Sequence, residues 1–476
     1  MITTKQIDMK PRLLTTLALL VFCSYGQAQI PEQASIDRIF AEWNKPDVPG
    51  GALGIVKDGK LIYAKGYGIA DLEHDITITP SSVFYICSVS KHFVTFSVLL
   101  LEEQGKLNLD DKIQKYLPDF PEYEKPLTIR HFIHHTSGVR DNLTLMALKG
   151  RSYLDHIEDE EVYKLIKRQS TLNFTPGERY LYSNSCYFML AMIVEKAAGQ
   201  SLRDFARENM FEPLGMKNTQ FYDDIPDLVK NRVFSYQKTE DGFDNLVSRF
   251  DLVGSGGVYS TIEDLLLWDR NFYHNKLGKG GPEIIEKMLE EGLLNNGESS
   301  GYAFGLKNGT YRGLKTVSHG GSLAGYRAHF LQFPGQSYSV IILSNRSDGA
   351  PGSKAYKVAD IVLEELFTEE KEVKQAREEK PNSAPDEAAP AKVDVQEFTG
   401  DYYCEDLDVV YRFSVEGESL QFSIQNKEES ALNISGVDEF RSSGLLFRFN
   451  RNKGKIAGFE LDAGRVKNLA FTKINK

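Results

Sequence analysis

The stretch Ser88-Val89-Ser90-Lys91 decides how this 476-residue chain is interpreted, because two further motifs follow it in order. Tyr182-Ser183-Asn184 comes next, and His319-Gly320-Gly321 lies beyond it. A serine and a lysine three positions apart are common in long chains, and Ser235-Tyr236-Gln237-Lys238 repeats that spacing without the later partners. The ordered set of three is much rarer, and it predicts a serine hydrolase.

The first residue of this set, Ser88, needs a nearby base, because a serine hydroxyl is a poor nucleophile at neutral pH. Lys91 follows one helical turn later, so the two side chains share one face. Burial of the ammonium would lower its pKa and make it a base. The alternative interpretation is a serine that caps a helix and is followed by a solvated lysine.

The second motif offers two further groups. Tyr182 supplies a phenol that can pass a proton to a leaving group, and Asn184 supplies an amide that can hold both Lys91 and a substrate carbonyl. The alternative is that Ser183 and Asn184 only cap the following helix, with Tyr182 in the core.

The third motif is predicted on the strand side of the site. Gly320 and Gly321 let backbone or substrate approach closely, and His319 offers a donor or a partial positive charge. The N–H of Ser322, together with that of Ser88, would form an oxyanion hole. A glycine turn with an incidental histidine is the alternative.

The composition is that of an ordinary soluble chain, with 41% hydrophobic and 26% charged residues, and the length allows two or three domains. The net charge of -11 argues against nucleic acid as a partner, because a phosphate-binding face needs clustered Lys and Arg. Cys87, Cys186 and Cys404 form no disulfide framework and have no metal-site spacing. We expect small buried side chains, and a Cys87–Cys186 contact stays open.

Residues 1–28 are predicted to be a secretory signal peptide. Three positive charges (Lys5, Lys10 and Arg12) precede the apolar stretch 13–22, which is too short to span a bilayer comfortably. Gly26-Gln27-Ala28 places small residues where a signal peptidase reads them. We therefore expect a secreted or periplasmic protein with no integral membrane domain after cleavage; an uncleaved anchor is the alternative.

Residues 29–368 are predicted to form one α+β domain. The pattern predicts a hairpin over 51–68, a buried helix from Val89 to a cap at Gly105, and a second helix over 187–198. Ser260-Thr261-Ile262-Glu263 has the form of a capping box that opens another helix. Two strands, 328–333 and 338–343, and a helix over 355–367 close the domain.

The remainder of the chain changes in character. Residues 369–393 are rich in Glu, Lys, Ala and Pro without an apolar period, which predicts an extended linker. Residues 394–476 contain short alternating strands separated by turns, which predicts a small antiparallel barrel or sandwich. No catalytic cluster is evident in it. The predicted strands are 409–415, 420–424, 445–449, 456–461 and 469–474.

The three motifs resemble those of the serine β-lactamase and penicillin-binding protein superfamily, especially its class C-like branch of esterases and D-aminopeptidases. Further stretches carry the same resemblance: 127–138, 174–178, 254–261 and 302–306. The resemblance covers about Pro31 to Leu366. It implies a β-lactamase/transpeptidase-like domain, an antiparallel sheet flanked by helices plus an all-helical region. The C-terminal barrel is similar to the lipocalin-like module of some of these peptidases, where it can shape assembly or cover the cleft.

The resemblance also implies roles for the motif residues. Ser88 is the acylated nucleophile, Lys91 its base or proton relay, and Tyr182 the second proton-transfer group. Asn184 positions the substrate. His319 stands where these enzymes usually have the lysine of a Lys-Thr-Gly motif, which favours ester, amide or peptide substrates over efficient β-lactam hydrolysis. The implied chemistry needs no cofactor or metal.

Two other classes of function compete with this interpretation. His131, His134 and His135 have a helical spacing that can place two imidazoles on one face, as in a metallohydrolase, but no carboxylate accompanies them at the expected spacing. A non-catalytic envelope receptor on the same fold is the second alternative. The intact motifs argue for retained chemistry.

Overall fold

A computed structural model describes residues 32–152, 154–370, 393–424 and 429–474. The predicted signal peptide, 1–28, lies outside these ranges. So does most of the predicted linker, of which only residues 369, 370 and 393 are described.

The main sheet joins distant parts of the chain, as predicted. Its strands, from edge to edge, are Lys307–Tyr311, Leu314–Leu323, Tyr326–Phe333, Tyr338–Ser344, Gly51–Lys57 and Lys60–Tyr67. All neighbouring strands pair antiparallel. The predicted 51–68 hairpin is confirmed, and Asp58 and Gly59 both have positive φ (48° and 68°), which matches the right-handed twist of the paired strands.

The sheet separates two hydrophobic cores. In Gly51–Lys57, Ala52 and Val56 face one core while Leu53 and Ile55 face the other. The first core contains the helix Lys91–Glu103, here named the serine helix. The second core is covered by helices Gln33–Ile39 and Pro351–Val362. A strand buried on both faces explains why this segment is almost continuously apolar.

The helical part of the domain agrees with the predicted positions, with shifted ends. The serine helix ends before Gly105 (φ 69°). The second helix, here the asparagine helix, begins at Asn184, three residues before the apolar period, and ends at Gly199. The capping prediction is wrong by one residue: Thr261 caps the helix, because its side chain accepts from the Asp264 N–H.

The remaining helices and short strands complete the domain. The α-helices are Ile129–Ile133, Asn142–Leu148, Asp159–Lys167, Leu202–Ala206, Glu212–Leu214, Ile262–Tyr273 and Glu283–Met288. The small sheets pair Ile69–Asp71 with Ile76–Thr77, Phe84–Tyr85 and Gln220–Phe221 with Val258–Ser260, and Tyr236–Lys238 with Phe243–Asn245. Within the described ranges, no helix combines the length and apolar character needed to cross a bilayer.

The C-terminal module is a nearly closed antiparallel barrel, as predicted, with nine strands among the described residues. Its core is a cluster of aromatic rings that includes Tyr402, Phe413 and Phe459. The strands are Gly400–Cys404, Val409–Glu416, Ser419–Ile424, Ser430–Ala431, Asn433–Gly436, Glu439–Ser442, Leu445–Asn452, Lys455–Ala463 and Val466–Ile474.

Arg140 joins the barrel to the hydrolase domain. Its guanidinium, which is fully buried, donates to the backbone oxygens of Lys467 and Asn468 and to the Asp406 carboxylate at 3.1 Å. Asn173 adds two bonds, accepting from the Lys467 N–H and donating to the Arg465 oxygen. The hairpin that carries residues 455–474 is therefore fixed against the helical region.

We expect Arg140→Met to lower the free energy of unfolding by about 3 kcal/mol, because it removes the cation paired with the Asp406 carboxylate and the donor to several interface carbonyls. Urea unfolding followed by circular dichroism measures the change. Arg168→Met is the matched control: this guanidinium also faces the barrel, 3.5 Å from Asp408, but it is more than one-third exposed. Its loss should cost less than about 1 kcal/mol. Equal urea midpoints for Arg140→Met and Arg168→Met would contradict the stabilising role of Arg140 at the interface.

Candidate active site

Ser88 lies on a tight turn between a strand and the serine helix. Residues Cys87–Ser90 form a single 3-10 turn, and Cys87 has a φ of 52°, which is rare for a residue with a side chain. Gly321 of the main sheet packs against this turn. A Cβ added there would meet the Ile86 oxygen at 2.5 Å and the Ser88 nitrogen at 3.2 Å, so only glycine permits the approach.

Lys91 is fully buried, with three oxygen atoms around its Nζ. They are the Ser255 carbonyl at 2.5 Å, Asn184 Oδ1 at 3.1 Å and Ser88 Oγ at 3.2 Å. A carbonyl and an amide oxygen can only accept, so they take both N–H groups of a neutral amine. The charged ammonium donates to all three oxygens, whereas in the neutral amine the lone pair would face the Ser88 hydroxyl, which is the geometry of a general base.

The charge state of Lys91 agrees with this arrangement. Burial lowers the pKa of the Lys91 amine well below its ordinary value; the Asp141 carboxylate raises that pKa and the Arg465 guanidinium lowers it. The neutral form of the amine is thus available at a lower pH than in an exposed lysine.

Asp141 fixes the orientation of Asn184. Its Oδ2 accepts from both the backbone N–H and the side-chain Nδ2 of Asn184, at 2.7 and 2.9 Å. Because a carboxylate can only accept, the Asn184 amide must present its oxygen to Lys91. This bond uses one of the two N–H donors of the Asn184 amide, and Asn184 lines the cavity, so its substrate-positioning role stays a prediction.

Tyr182 completes the group around Ser88. Burial raises the pKa of the Tyr182 phenol more than the nearby Ser88 hydroxyl lowers it, so the phenol stays protonated. His135 holds this segment: its carbonyl accepts from the Leu181 N–H, and its Nδ1 accepts from the Ser183 N–H at 3.1 Å. The two ring centroids of His135 and Tyr182 are 4.2 Å apart.

His319 lines the cavity, and both of its ring nitrogens are hydrogen-bonded within the protein. Its Nδ1 is 2.7 Å from the Gly320 oxygen and must donate to it, so its Nε2 accepts from the Tyr302 hydroxyl at 2.9 Å. Burial lowers the pKa of His319 well below its usual value. The imidazole is therefore neutral with both nitrogens engaged in this structure, and because His319 lines the cavity its substrate-binding role stays a prediction.

A cavity of about 740 Å³ opens above these groups. Gly321 and Ser322 line it together with Ser88, Tyr182, Asn184 and His319, so the structure brings the predicted site residues to one place. Among the described lining residues, the fixed charges are two cations: Lys307 of the main sheet and Arg465 of the barrel. The size suits a small-molecule substrate.

The remaining sequence hypotheses have a structural explanation. Cys87 and Cys186 are buried free thiols; Cys186 contacts the Ser137 hydroxyl and Cys87 backbone carbonyls, so the contact left open is not formed. His131 caps its own helix, while His134 Nδ1 contacts the Tyr302 oxygen. In the described part of the chain, no three side chains are grouped as a metal site requires.

Several residues at the site were missed by sequence reasoning. Asp141 and His135 lie within or beside the stretch 127–138 that carried the family resemblance, and Ser255 lies in the glycine loop 254–261, so these stretches held the available signal. Arg465 carried no such sequence signal, because an arginine in a β-hairpin turn of a separate module has no local pattern that links it to Ser88.

The fold and the site together define a class of protein. The chain belongs to the β-lactamase family, whose sequence model matches residues 36–363.

Two relatives show how far the sequence similarity extends along the chain. Penicillin-binding protein 4* of Bacillus subtilis is 28% identical over 423 residues, which cover 83% of this chain and 87% of the relative. A D-aminopeptidase of Brucella anthropi is 31% identical over 318 residues, covering 66% of this chain but only 59% of the relative. The chain thus spans about three-fifths of the length of that D-aminopeptidase.

Solved structures share the fold across both modules. The octameric penicillin-binding protein homologue from Pyrococcus abyssi superimposes with a TM-score of 0.61 at 21% identity, covering 93% of this chain and 99% of the homologue. The structure of SurE gives a TM-score of 0.60 at 20% identity, covering 93% and 98%. At these identities the likeness shows the fold alone.

Proposed function

We propose that the protein is a serine hydrolase that forms an acyl-enzyme at Ser88 on ester, amide or peptide substrates. One observation carries the proposal: the buried Lys91 amine faces two acceptor oxygens and the Ser88 hydroxyl, which matches a neutral base beside its nucleophile. No metal or cofactor enters the scheme.

The reaction runs in two halves. Ser88 Oγ bonds to the carbonyl carbon while its proton passes to Lys91 Nζ, and the N–H groups of Ser88 and Ser322 receive the oxyanion. Collapse breaks the bond to the leaving group, which takes a proton from the Tyr182 phenol; the Lys91 ammonium restores that proton through the hydrogen-bonded cluster. Water then attacks the acyl carbon and gives its proton to the Lys91 amine. Collapse breaks the bond to Ser88 Oγ, which takes that proton back from Lys91, and the acid is released.

The relatives and the site favour amide and peptide substrates, with esters as reactive analogues. Relatives of this chain are named D-aminopeptidase and penicillin-binding protein. The neutral His319 gives no fixed positive charge at its position, so we expect little hydrolysis of β-lactams. We also propose export of the protein, on the charge and apolar pattern of residues 1–28.

A substrate panel tests this proposal. Hydrolysis of p-nitrophenyl esters, D-amino-acid amides and a chromogenic cephalosporin is measured with wild type and Ser88→Ala. We expect turnover of esters or amides that disappears in the variant, and weak or absent cephalosporin turnover. Efficient cephalosporin hydrolysis would reject the substrate assignment, and ester or amide turnover that survives in the variant would reject the mechanism.

Tyr182→Phe removes only the phenolic oxygen, and we expect it to slow acylation about 10²-fold, the effect of losing a proton-transfer group. The measurement is the burst phase with a p-nitrophenyl ester. Tyr180→Phe is the matched control, because Tyr180 lines the same cavity, whereas the Ser88 hydroxyl acts on the pKa of Tyr182. Similar burst rates in the two variants would show that the Tyr182 hydroxyl has no special part.

A further inference from the structure

Arg465 brings a charge from the barrel into the site described above. It lies at the turn between strands Lys455–Ala463 and Val466–Ile474, with its guanidinium 4.6 Å from the centre of the Tyr182 ring and 3.7 Å from Asp141 Oδ2. The turn is held in place, since the Arg465 carbonyl accepts from Asn173 and the Lys467 N–H donates to Asn173. Arg465 therefore reaches the cavity from a turn that hydrogen bonds hold against the hydrolase domain.

The partner of this guanidinium, Asp141, is the group that orients Asn184 toward Lys91. Its carboxylate is only 1% exposed, and its other oxygen, Oδ1, accepts from the Thr144 N–H and hydroxyl. A carboxylate so enclosed needs a positive charge nearby. Two cations compete for that place: Arg465, and Lys91 in its protonated form.

We propose that Arg465 is a positioning residue of the active site: its guanidinium balances the Asp141 carboxylate, so that Asn184 stays oriented while Lys91 remains neutral. The barrel thereby completes the hydrolase site. This inference rests on the proposed function, because it assumes that Lys91 acts as the base.

The other titratable groups around Lys91 are neutral, so Asp141 and Arg465 are the fixed charges that act on its amine. Burial raises the pKa of the Cys87 thiol to about 12 and of the Cys186 thiol to about 11, so both are neutral. Burial likewise raises the pKa of the phenols and lowers the pKa of the imidazoles around the amine. The groups that act on Lys91 are Asp141, Arg465, Cys87, Cys186, Tyr182, Tyr187, His135 and His319.

The sign of the expected effect follows from these charges. Without Arg465, the negative charge of Asp141 favours the protonated amine, and the pKa of Lys91 rises. The neutral base is then lost at a pH where wild type still has it, so the acidic limb of the activity profile moves to higher pH. On the alkaline plateau, where Lys91 is neutral in both proteins, the rates converge.

The test uses the rate at which an uncharged fluorophosphonate labels Ser88 as a function of pH, so that direct contact between Arg465 and a substrate charge plays no part. The Arg465 side chain is 44% exposed, so solvent screens part of its charge. For Arg465→Met we therefore expect a rate about three- to fivefold slower on the acidic limb and less than about twofold changed on the plateau. Arg465→Lys should stay close to wild type. Arg465→Met combined with Asp141→Asn should move the limb back toward wild type, since both charges are gone.

Arg441→Met is the matched control, because it removes the same charge from the barrel at a site paired with Glu439. Its profile should superimpose on wild type. An Arg465→Met profile that is unchanged, or lowered equally at every pH, would overturn the inference while leaving the proposed function intact. A wild-type protein that is not labelled at any pH would overturn the proposed function, and this inference with it.

Discussion

Ser88→Ala is expected to abolish covalent labelling by a fluorophosphonate and to reduce ester hydrolysis by at least about 10³-fold, because the acyl-enzyme can no longer form. The loss should appear in kcat more than in KM, since the cavity walls are unchanged. Intact-protein mass spectrometry detects the label, and steady-state kinetics measures the rate.

The second serine–lysine pair with the same spacing, in Ser235-Tyr236-Gln237-Lys238, supplies the matched control for this substitution. Ser235→Ala removes a buried serine hydroxyl that also lies three positions before a lysine, but this hydroxyl donates to the Leu246 carbonyl and accepts from the Gly325 N–H. We expect Ser235→Ala to lower the free energy of unfolding and to leave fluorophosphonate labelling intact. If Ser88→Ala is still labelled, or Ser235→Ala is not, the nucleophile has been assigned to the wrong serine.

Lys91→Met is expected to slow acylation about 10²–10⁴-fold, because it keeps the volume of the buried side chain and removes the base. In wild type, burial lowers the pKa of Lys91. Acylation should therefore rise with pH along a limb that lies well below the ordinary lysine value of 10.5, as the neutral amine becomes populated. That limb should disappear in the variant, whose residual rate has no neutral amine to depend on.

Lys238→Met provides the corresponding control, since the lysine that follows Ser235 by three positions is largely exposed and forms an ion pair with Asp348 at 3.9 Å. Its pH profile should match wild type. A Lys91→Met enzyme that keeps the limb, or acylates within a few-fold of wild type, would mean that another group accepts the proton from Ser88.

Local patterns predicted most of the hydrolase domain, and tertiary contacts explain the differences. The 51–68 hairpin and the serine helix carry strong periodicity and turn signals, and both were found. The asparagine helix was predicted to start late because its first turn, from Asn184, holds polar residues that bind partners distant in sequence. In the barrel, Asn433–Gly436 was missed because three of its four side chains are exposed, so it lacks apolar alternation.

The motif residues of the site were accessible to sequence reasoning, whereas the groups that orient them were not. Asp141 acts on Asn184 from 43 positions away, and Arg465 reaches Asp141 from a different module. His319 shows the same limit at a motif residue: its neutrality depends on the bonds to Gly320 and Tyr302, which only the folded chain reveals.

The topology of the main sheet also constrains how the chain reaches its native state. The hairpin formed by Gly51–Lys57 and Lys60–Tyr67 gains its second neighbour only from Tyr338–Ser344, and the bond between Gly50 and Ser344 joins residues 294 positions apart. During synthesis one apolar edge of this hairpin stays unpaired until nearly the whole domain has emerged. Such non-local pairing favours slow folding and makes the unfinished chain a natural client for chaperones.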